Sequence, residues 1–233
     1  MDSTTQSKTL IIGGTGLLGT CLGKLDKTAT CVGRQYPVDS LFSLLDLFEE
    51  VKPTLVINAA AEINSREIEE DPMAAITTNI IGAANVAKCC LIYGCRLVYI
   101  STDYIYPGSG NHKETEPILP ANDYAWTKLG GECSTRLVQN SLIIRTSFGA
   151  VSFPYTKAYT NLYTSKDYVD VIAPKILKAA ESCIQGVINI GTERKSVFEY
   201  AWKRNKHIKT ASLEKELDYS LNTEFYGRIF DNK

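Results

Sequence analysis

The sequence has few of the residues that mark metal and disulfide sites. It holds only two histidines, and its seven cysteines include no Cys-x-x-Cys pair. An odd cysteine count without zinc-type spacing favours free thiols over disulfides or a zinc centre. We therefore expect no metal site. Most of the cysteines lie in apolar stretches, so we expect most of them to be buried.

The sequence also lacks an excess of charge of either sign. Lys and Arg number 25 against 26 Asp and Glu, a net charge of −1, so a broad attraction to nucleic acid or anionic membrane is not expected. No apolar run is seen to approach the ~18 residues of a membrane span. The first residues, MDSTTQSK, are polar and lack a signal-peptide core. These features predict a cytoplasmic protein without nucleic-acid or membrane partners.

Six apolar segments alternate with helical patterns along the chain, and they are KTLIIGG, TATCVGR, TLVINAAA, CRLVYIST, SLIIRTS and GVINIG. Strands that alternate with helices predict an α/β fold, a Rossmann-like doubly wound parallel sheet whose ligands bind beyond the carboxyl ends of its strands. We expect a dinucleotide-binding domain over residues 1–147. Residues 148–233 would form a small C-terminal substrate-binding lobe, partly interleaved with the sheet.

A glycine-rich loop follows the first predicted strand. In GGTGLLG, the residues Gly13, Gly16 and Gly19 have the spacing G-x-x-G-x-x-G, and Leu17 and Leu18 begin the next helix. Glycines allow a sharp turn and a close approach of the backbone to a diphosphate, which lies on the unpaired N–H groups of the helix start. The loop predicts a dinucleotide site formed by these five residues.

The second predicted strand ends at Gly33 and Arg34, where an NAD-binding protein would carry an acidic residue. A guanidinium suits the 2′-phosphate of NADPH, so NADPH is the expected cofactor, with NADH as the other possibility. The alternative for Arg34 is a solvated loop residue. Asp39 lies just ahead of the helical pattern SLFSLLDLF, where it can cap the helix instead of contacting a cofactor.

Tyr124 and Lys128 lie four residues apart in NDYAWTKLGGE, which places them on one face of a helix. A nearby ammonium favours the phenolate and lowers the pKa of a tyrosine, whose ordinary value is about 10. Such a tyrosine can protonate a carbonyl oxygen that accepts hydride. Ser101 and Thr102, at the end of the fourth strand, can hold that oxygen, although hydroxyl residues at strand ends often serve only the turn.

The combination of these motifs resembles the extended short-chain dehydrogenases/reductases, and among them the group of dTDP-4-dehydrorhamnose reductases. The resemblance rests on GGTGLLG, KPTLVINAAAEIN, TTNIIGAANVAKCC, STDYIYPG, EPILPANDYAWTKLGGE and LIIRTS, and it covers roughly residues 8–147. It implies an NADPH-dependent reductase of a nucleotide-linked 4-keto-6-deoxy sugar, with a dTDP- or UDP-L-rhamnose-type product.

The resemblance also implies roles for individual residues. Tyr124 would be the proton donor, Lys128 its partner and Thr102 the hydroxyl on the substrate oxygen, while Asn79 would help to order the proton path. Asp39 would reach the adenine ring. Three small residues would line the diphosphate and ribose of the cofactor, or serve close strand–helix packing, or both; they are Ala59, Ala60 and Ala61.

Two positions bear on the alternatives to this activity. Asp103, with Ser101 and Thr102, falls where the substrate would bind, and relatives that also epimerise the sugar carry cysteine there, so Asp103 argues against epimerase activity. Glu62 replaces a histidine that is common in the relatives. The alternatives are a bifunctional epimerase/reductase, or a non-catalytic NADP-binding regulatory subunit like the β subunit of methionine adenosyltransferase. Related proteins often pair through the helices at residues ~72–92 and ~122–138, so a homodimer is expected.

Overall fold

A computed structural model describes residues 8–231 of the protein. Its centre is a six-stranded parallel sheet made of β1 (Thr9–Ile12), β2 (Thr30–Val32), β3 (Leu55–Asn58), β4 (Arg96–Thr102), β5 (Leu142–Thr146) and β6 (Gly186–Ile190). All six fall in the predicted segments, and the strand order is β2-β1-β3-β4-β5-β6. The parallel α/β sheet expected from the sequence is therefore confirmed, with its topological switch point between β1 and β3.

Helices cover both faces of the sheet. They are α1 (Leu17–Leu25), α2 (Leu41–Val51), α3 (Ser65–Glu70), α4 (Met73–Ala75, continued by a π-helical segment Ile76–Gly82 and an α-helical segment Ala83–Tyr93), α5 (Asp123–Thr135), α6 (Val169–Ala180), α7 (Val197–Trp202) and α8 (Glu224–Phe230). One core cluster joins the sheet to α1 and α6, and another joins the opposite face to α2 and α4. The strands read as continuous apolar runs because both faces of the sheet are covered.

Helix α4 is long and apolar enough to span a membrane by length and composition alone, with a mean hydropathy of 1.4. The expectation that no stretch approaches that length was therefore wrong. Half of its most apolar window is buried inside the protein, where residues such as Val86, Cys89 and Cys90 pack against the sheet. Gly94 ends the helix in the left-handed conformation, with φ of 67°. We interpret α4 as a core helix of this fold.

Three small sheets lie between β5 and the C-terminal part of the described chain. One joins Lys195–Ser196, Leu162–Thr164 and Leu217–Asp218, a second joins Lys209–Ala211 to Lys157–Tyr159, and a third joins Phe148–Gly149 to Asp167–Tyr168. These segments build a wall above the carboxyl ends of β4 and β5. Residues 199–231 contribute α8 and parts of this wall.

All seven cysteines carry free thiols, as expected, but their burial differs from the prediction. Cys89, Cys90 and Cys95 are buried around the end of α4, and Cys21 is partly buried. The other three are exposed, and they are Cys31, Cys133 and Cys183. Cys31 lies on the short edge strand β2, Cys133 near the end of α5 and Cys183 just after α6. Other side chains of the same segments face the core, and these three thiols face solvent.

Candidate active site

The glycine loop brings β1, β3 and the start of α1 into close contact. Gly13 has φ of +82°, and a Cβ atom there would lie 2.6 Å from the backbone nitrogen of Ala60. A Cβ on Gly19 would overlap the carbonyl oxygen of Gly13. Neither position has room for a side chain, so the backbone itself lines this part of the surface.

The start of α1 is open to an anion. Gly16 is its N-cap, and neither a side-chain cap nor an acidic residue occupies the first turn. The N–H groups of Leu17 and Leu18 therefore carry the partial positive charge of the helix start without a partner from a side chain. The Leu18 side chain is buried in the core, so only its backbone can serve the predicted cofactor site.

A cavity of about 670 Å³ opens beside this loop. Its walls include most of the predicted cofactor residues, namely Gly13, Gly16, Arg34, Asp39, Ala59, Ala60 and Ala61. Arg34 is exposed and makes no hydrogen bond or ion pair within residues 8–231. Ser40, not Asp39, caps α2 by accepting a hydrogen bond from the Ser43 N–H. The capping alternative for Asp39 was wrong, and Asp39 lines the cavity.

The fit of this cavity to a dinucleotide follows from its shape and charge. Its lining includes the backbone of Gly13 and Gly16, and the uncapped helix start adjoins it. The unpaired Arg34, one of the lining residues, adds a permanent positive charge. Further lining residues were not among those predicted from the sequence, and they include Thr15, Tyr36, Pro37 and Thr78.

Tyr124 lies in the first turn of α5, which Asn122 caps by accepting a hydrogen bond from the Ala125 N–H at 2.9 Å. Burial raises the pKa of Tyr124, and the nearby carboxylate of Asp103 raises it further. The expected lowering of this pKa by Lys128 is therefore not found. Tyr124 is held as a neutral phenol, a proton donor rather than a phenolate.

The burial of Lys128 explains why this residue does not lower the pKa of Tyr124. Its side chain is only 2% exposed, and burial lowers its pKa to about 7, while Glu132 one turn further along opposes the shift. Its Nζ lies 4.2 Å from the centre of the Tyr99 ring. A half-neutral amine that faces an aromatic ring and Glu132 does little to stabilise a phenolate one turn away.

Thr102 and Asp103 are coupled at the end of β4. The Thr102 hydroxyl donates to Asp103 Oδ1 at 3.2 Å and accepts from the Tyr104 N–H. Burial raises the pKa of Asp103 to about 6, against opposing interactions with Lys166, Thr102 and Ser147. While Asp103 is ionised, the Thr102 hydroxyl donates its hydrogen bond to this carboxylate and is not free to donate to a substrate oxygen.

Ser101 and Asn79 play different parts in the geometry. Ser101 is buried, and its hydroxyl has no partner within the part of the chain that the structure describes. Asn79, in the π-helical segment of α4, donates to the Glu62 carbonyl at 2.8 Å and to Thr127 Oγ1 at 2.9 Å, and accepts from the Glu62 N–H at 2.8 Å. Its side chain braces the loop after β3 against α5.

A second cavity, of about 650 Å³, lies above β4 and is rich in aromatic rings. Tyr155 and Lys157 line it. Arg194 is not among the lining residues, and it stacks on Tyr163 and pairs with Asp218. The lining includes Asp103, Tyr104, Ser147, Phe153, Lys166, Tyr200 and Tyr219. Sequence reasoning missed Lys166 because a lysine in TSKDY has no motif spacing to single it out.

The buried carboxylate of Asp103 yields a stability prediction. Its pKa is raised from 3.8 to about 6 in the folded protein, so the folded state binds more protons between these values and its stability falls as pH rises through them. The substitution Asp103→Asn changes the free energy of unfolding by an amount that depends on pH. This change should be more favourable at pH 8 than below pH 4, by about 1–3 kcal/mol. Urea unfolding at both pH values measures this, with the exposed Asp46→Asn as the matched control. An equal effect of Asp103→Asn at both pH values would contradict it.

Comparison with known proteins places this site in a family. Residues 7–179 match the model of the RmlD substrate binding domain. A dTDP-4-dehydrorhamnose reductase of Aggregatibacter actinomycetemcomitans is 31% identical over 73% of this chain, which spans 62% of that relative's length. The methionine adenosyltransferase 2 subunit beta of Xenopus laevis is 34% identical over 56% of this chain and 43% of its own.

A solved structure supports the fold. The dTDP-4-dehydrorhamnose reductase of Bacillus anthracis, crystallised in complex with NADP, aligns with a TM-score of 0.86 at 22% identity, over 97% of this chain and 93% of that one. Together with the match over most of the chain, these similarities show that the protein belongs to the RmlD substrate-binding domain family.

Proposed function

We propose that the protein is an NADPH-dependent reductase of a nucleotide-linked 4-keto-6-deoxy sugar. One observation carries this proposal: the first turns of α5 connect to both cavities. Tyr124 interacts with Asp103, which lines the aromatic cavity. Thr127 holds Asn79, which in turn holds Glu62 of the cavity beside the glycine loop. A substrate in one cavity and a cofactor in the other would meet at this helix.

The residues of the glycine-loop cavity would hold the cofactor. The N–H groups at the start of α1 suit its diphosphate, and Arg34 suits its 2′-phosphate. Asp39 would lie at the adenine end, and Ala59, Ala60 and Ala61 would let the ribose and diphosphate approach β3. Once bound there, NADPH supplies the hydride that reduces the sugar carbonyl.

The protein's own groups would supply the proton and orient the carbonyl. Tyr124, held neutral by its surroundings, donates the proton to the carbonyl oxygen, and the Thr102 hydroxyl holds that oxygen. Lys128 positions the cofactor ribose and, when charged, stabilises the tyrosinate left behind. Asn79 keeps the loop after β3 against α5, so its role in the proton path is to fix this geometry.

The experiment that tests the proposal is an NADPH-oxidation assay with a panel of dTDP-, UDP- and GDP-4-keto-6-deoxy sugars. Turnover with one member of the panel supports it. A tight protein partner without turnover on any member would favour a regulatory subunit. The similarity to the methionine adenosyltransferase subunit supports this second candidate. Proton exchange at sugar C3 or C5 in deuterated water would reveal added epimerase activity.

Arg34 is expected to determine the choice of cofactor. In the variant Arg34→Ala, the affinity for NADPH should fall about 10- to 100-fold, since a charge-assisted contact to phosphate is lost, while the affinity for NADH stays as in the parent. Fluorescence titration of both nucleotides measures the ratio. As the control, Lys24→Ala removes a positive charge from α1 outside the cavity. A parallel loss for both nucleotides in Arg34→Ala would contradict this role.

The remaining expectations concern organisation. We infer that residues 1–147 bind the dinucleotide, that residues 148–233 cover the substrate, and that the protein acts in the cytoplasm. We also infer a homodimer through α4 and α5, since Leu91 and Trp126 expose large apolar side chains there. Light scattering should then give a dimer mass for the parent and a monomer mass for the double variant Leu91→Lys/Trp126→Lys. A monomeric parent would contradict the inference.

A further inference from the structure

Lys166 is partly shielded from solvent, yet its ammonium has no carboxylate partner within 4 Å in the described part of the chain. Four neighbouring cations do pair with a carboxylate at that distance, and they are Lys195, Lys203, Arg194 and Arg204. Lys157 and Lys209 are also unpaired among the described residues, but both are exposed to water. Lys166 is partly buried, yet its side chain makes no hydrogen bond and no ion pair of that length within residues 8–231. Its Nζ lies 5.9 Å from the centre of the Tyr200 ring. A poorly solvated cation without a counter-ion favours binding of an anion.

The aromatic cavity gives a ligand access to Lys166. Lys166 lines the cavity of about 650 Å³ together with Asp103, whose carboxylate interacts with it over more than 4 Å. The other charged residue of the lining is Lys157 at the exposed rim, and the remaining titratable groups near Asp103 are neutral tyrosines. The cavity therefore offers an anionic ligand one deep cation and a wall of aromatic rings.

We propose that Lys166 binds the diphosphate of the sugar nucleotide, and that this binding makes Asp103 take up a proton and so frees the Thr102 hydroxyl to donate to the substrate carbonyl. The substrate class rests on the proposed function. The coupling between Lys166, Asp103 and Thr102 follows from the contacts in this structure.

The steps balance in charge and protons. In the free protein, the positive charge of Lys166 partly offsets the buried carboxylate of Asp103. A diphosphate that takes Lys166 as its partner removes this compensation and adds negative charge nearby, so Asp103 binds a proton from solvent. The neutral carboxyl no longer accepts the Thr102 proton. Thr102 then donates to the carbonyl oxygen, while the Asp103 hydroxyl can donate elsewhere in the cavity.

Calorimetry on the NADP-loaded protein tests the proposal with dTDP, UDP and GDP as probes. At pH 7, titrations in two buffers of different ionisation enthalpy should show net uptake of up to about one proton with the diphosphate that binds. In Lys166→Met, the affinity for that diphosphate should fall about 10- to 100-fold and the proton uptake should vanish. The affinity for the corresponding nucleoside, without phosphates, should not change. Asp103→Asn should keep the affinity and lose most of the uptake.

Three further variants make the outcome decisive. Lys206→Met, an exposed lysine outside the cavity, controls for the loss of one charge, and Lys166→Arg should retain part of the affinity. A loss of diphosphate affinity in Lys157→Met but not in Lys166→Met would overturn the proposal. Diphosphate binding without proton uptake in the parent would also overturn it. If none of the three diphosphates binds while NADPH does, the sugar-nucleotide assignment itself fails. Thermal melting of each variant identifies any that do not fold.

Discussion

The variant Tyr124→Phe is expected to reduce turnover by a factor of ~10²–10⁴ while leaving the Kd for NADPH unchanged. Phenylalanine keeps the ring and removes only the hydroxyl that would protonate the sugar oxygen. Because burial and Asp103 hold Tyr124 as a neutral phenol, the parent has the acid ready at neutral pH and the variant has none. Steady-state kinetics with the sugar nucleotide found by the panel, together with a fluorescence titration of NADPH, measure both quantities.

Tyr226→Phe is the matched control for this experiment. Tyr226 is buried in the core on α8, so its variant reports the effect of removing a buried tyrosine hydroxyl away from the site. Its turnover should equal that of the parent. A Tyr124→Phe variant that reduces substrate as fast as the parent would show that another group, with Asp103 the nearest acid, donates the proton.

The pH dependence of kcat/KM should reflect the titration of neighbours of Tyr124 rather than that of Tyr124 itself. The pKa of Tyr124 lies above its ordinary value, whereas those of Asp103 and Lys128 lie at about 6 and about 7. A change in kcat/KM between pH 6 and 7 therefore reports the loss of protons from Asp103 and Lys128 in the free enzyme. The sequence led to the opposite expectation, since a lysine four residues away suggests a lowered tyrosine pKa. Burial of the lysine overrides that local rule.

Local patterns in the sequence were sufficient for the framework. The six strands, the glycine loop and the helix of Tyr124 and Lys128 each depend on residues within a few positions of one another, and the structure has all of them. Likewise, Gly13 and Gly19 were recognisable because the turn and the close contacts require glycine. These features define where a ligand binds, which is why the carboxyl edge of the sheet was predictable.

The environment of the site depends on contacts between distant segments, and these were not predictable. Lys166 reaches Asp103 from a segment 63 positions later in the chain, and the sequence around it has no spacing that marks it. Asn79 contacts Glu62 and Thr127 from the π-helical segment of α4, and the motif around it did not indicate these contacts. Such pairings arise only once strands and helices have packed together.

The buried ion pair beneath the site also joins segments that are distant in the sequence. It supports the largest stability prediction. Arg145 on β5 donates to both carboxylate oxygens of Glu132 on α5, from Nε at 3.1 Å and from Nη2 at 2.9 Å. Both side chains are at most 2% exposed. Arg145 also donates to the Tyr106 hydroxyl at 2.7 Å, which bonds Asn189 in turn. The network ties α5 to two strands of the sheet.

The variant Glu132→Ala should lose about 3–5 kcal/mol of unfolding free energy, because it leaves the buried Arg145 guanidinium without its counter-ion. The double variant Glu132→Leu/Arg145→Met should recover most of that loss, since no unpaired charge remains. Chemical unfolding at pH 7 measures both. As the control, Arg66→Ala removes the exposed pair with Glu70 and should cost less than about 1 kcal/mol.

Glu132 also links this pair to catalysis. It opposes the effect of burial on Lys128, so its removal should lower the pKa of Lys128 below its value of about 7. At neutral pH the lysine would then be mainly uncharged, and turnover should fall even under conditions where the variant is folded. The double variant would restore stability without restoring turnover, because it also lacks the carboxylate. If stability and turnover recover together in the double variant, the pair serves only the fold, and Lys128 does not depend on Glu132 for its charge.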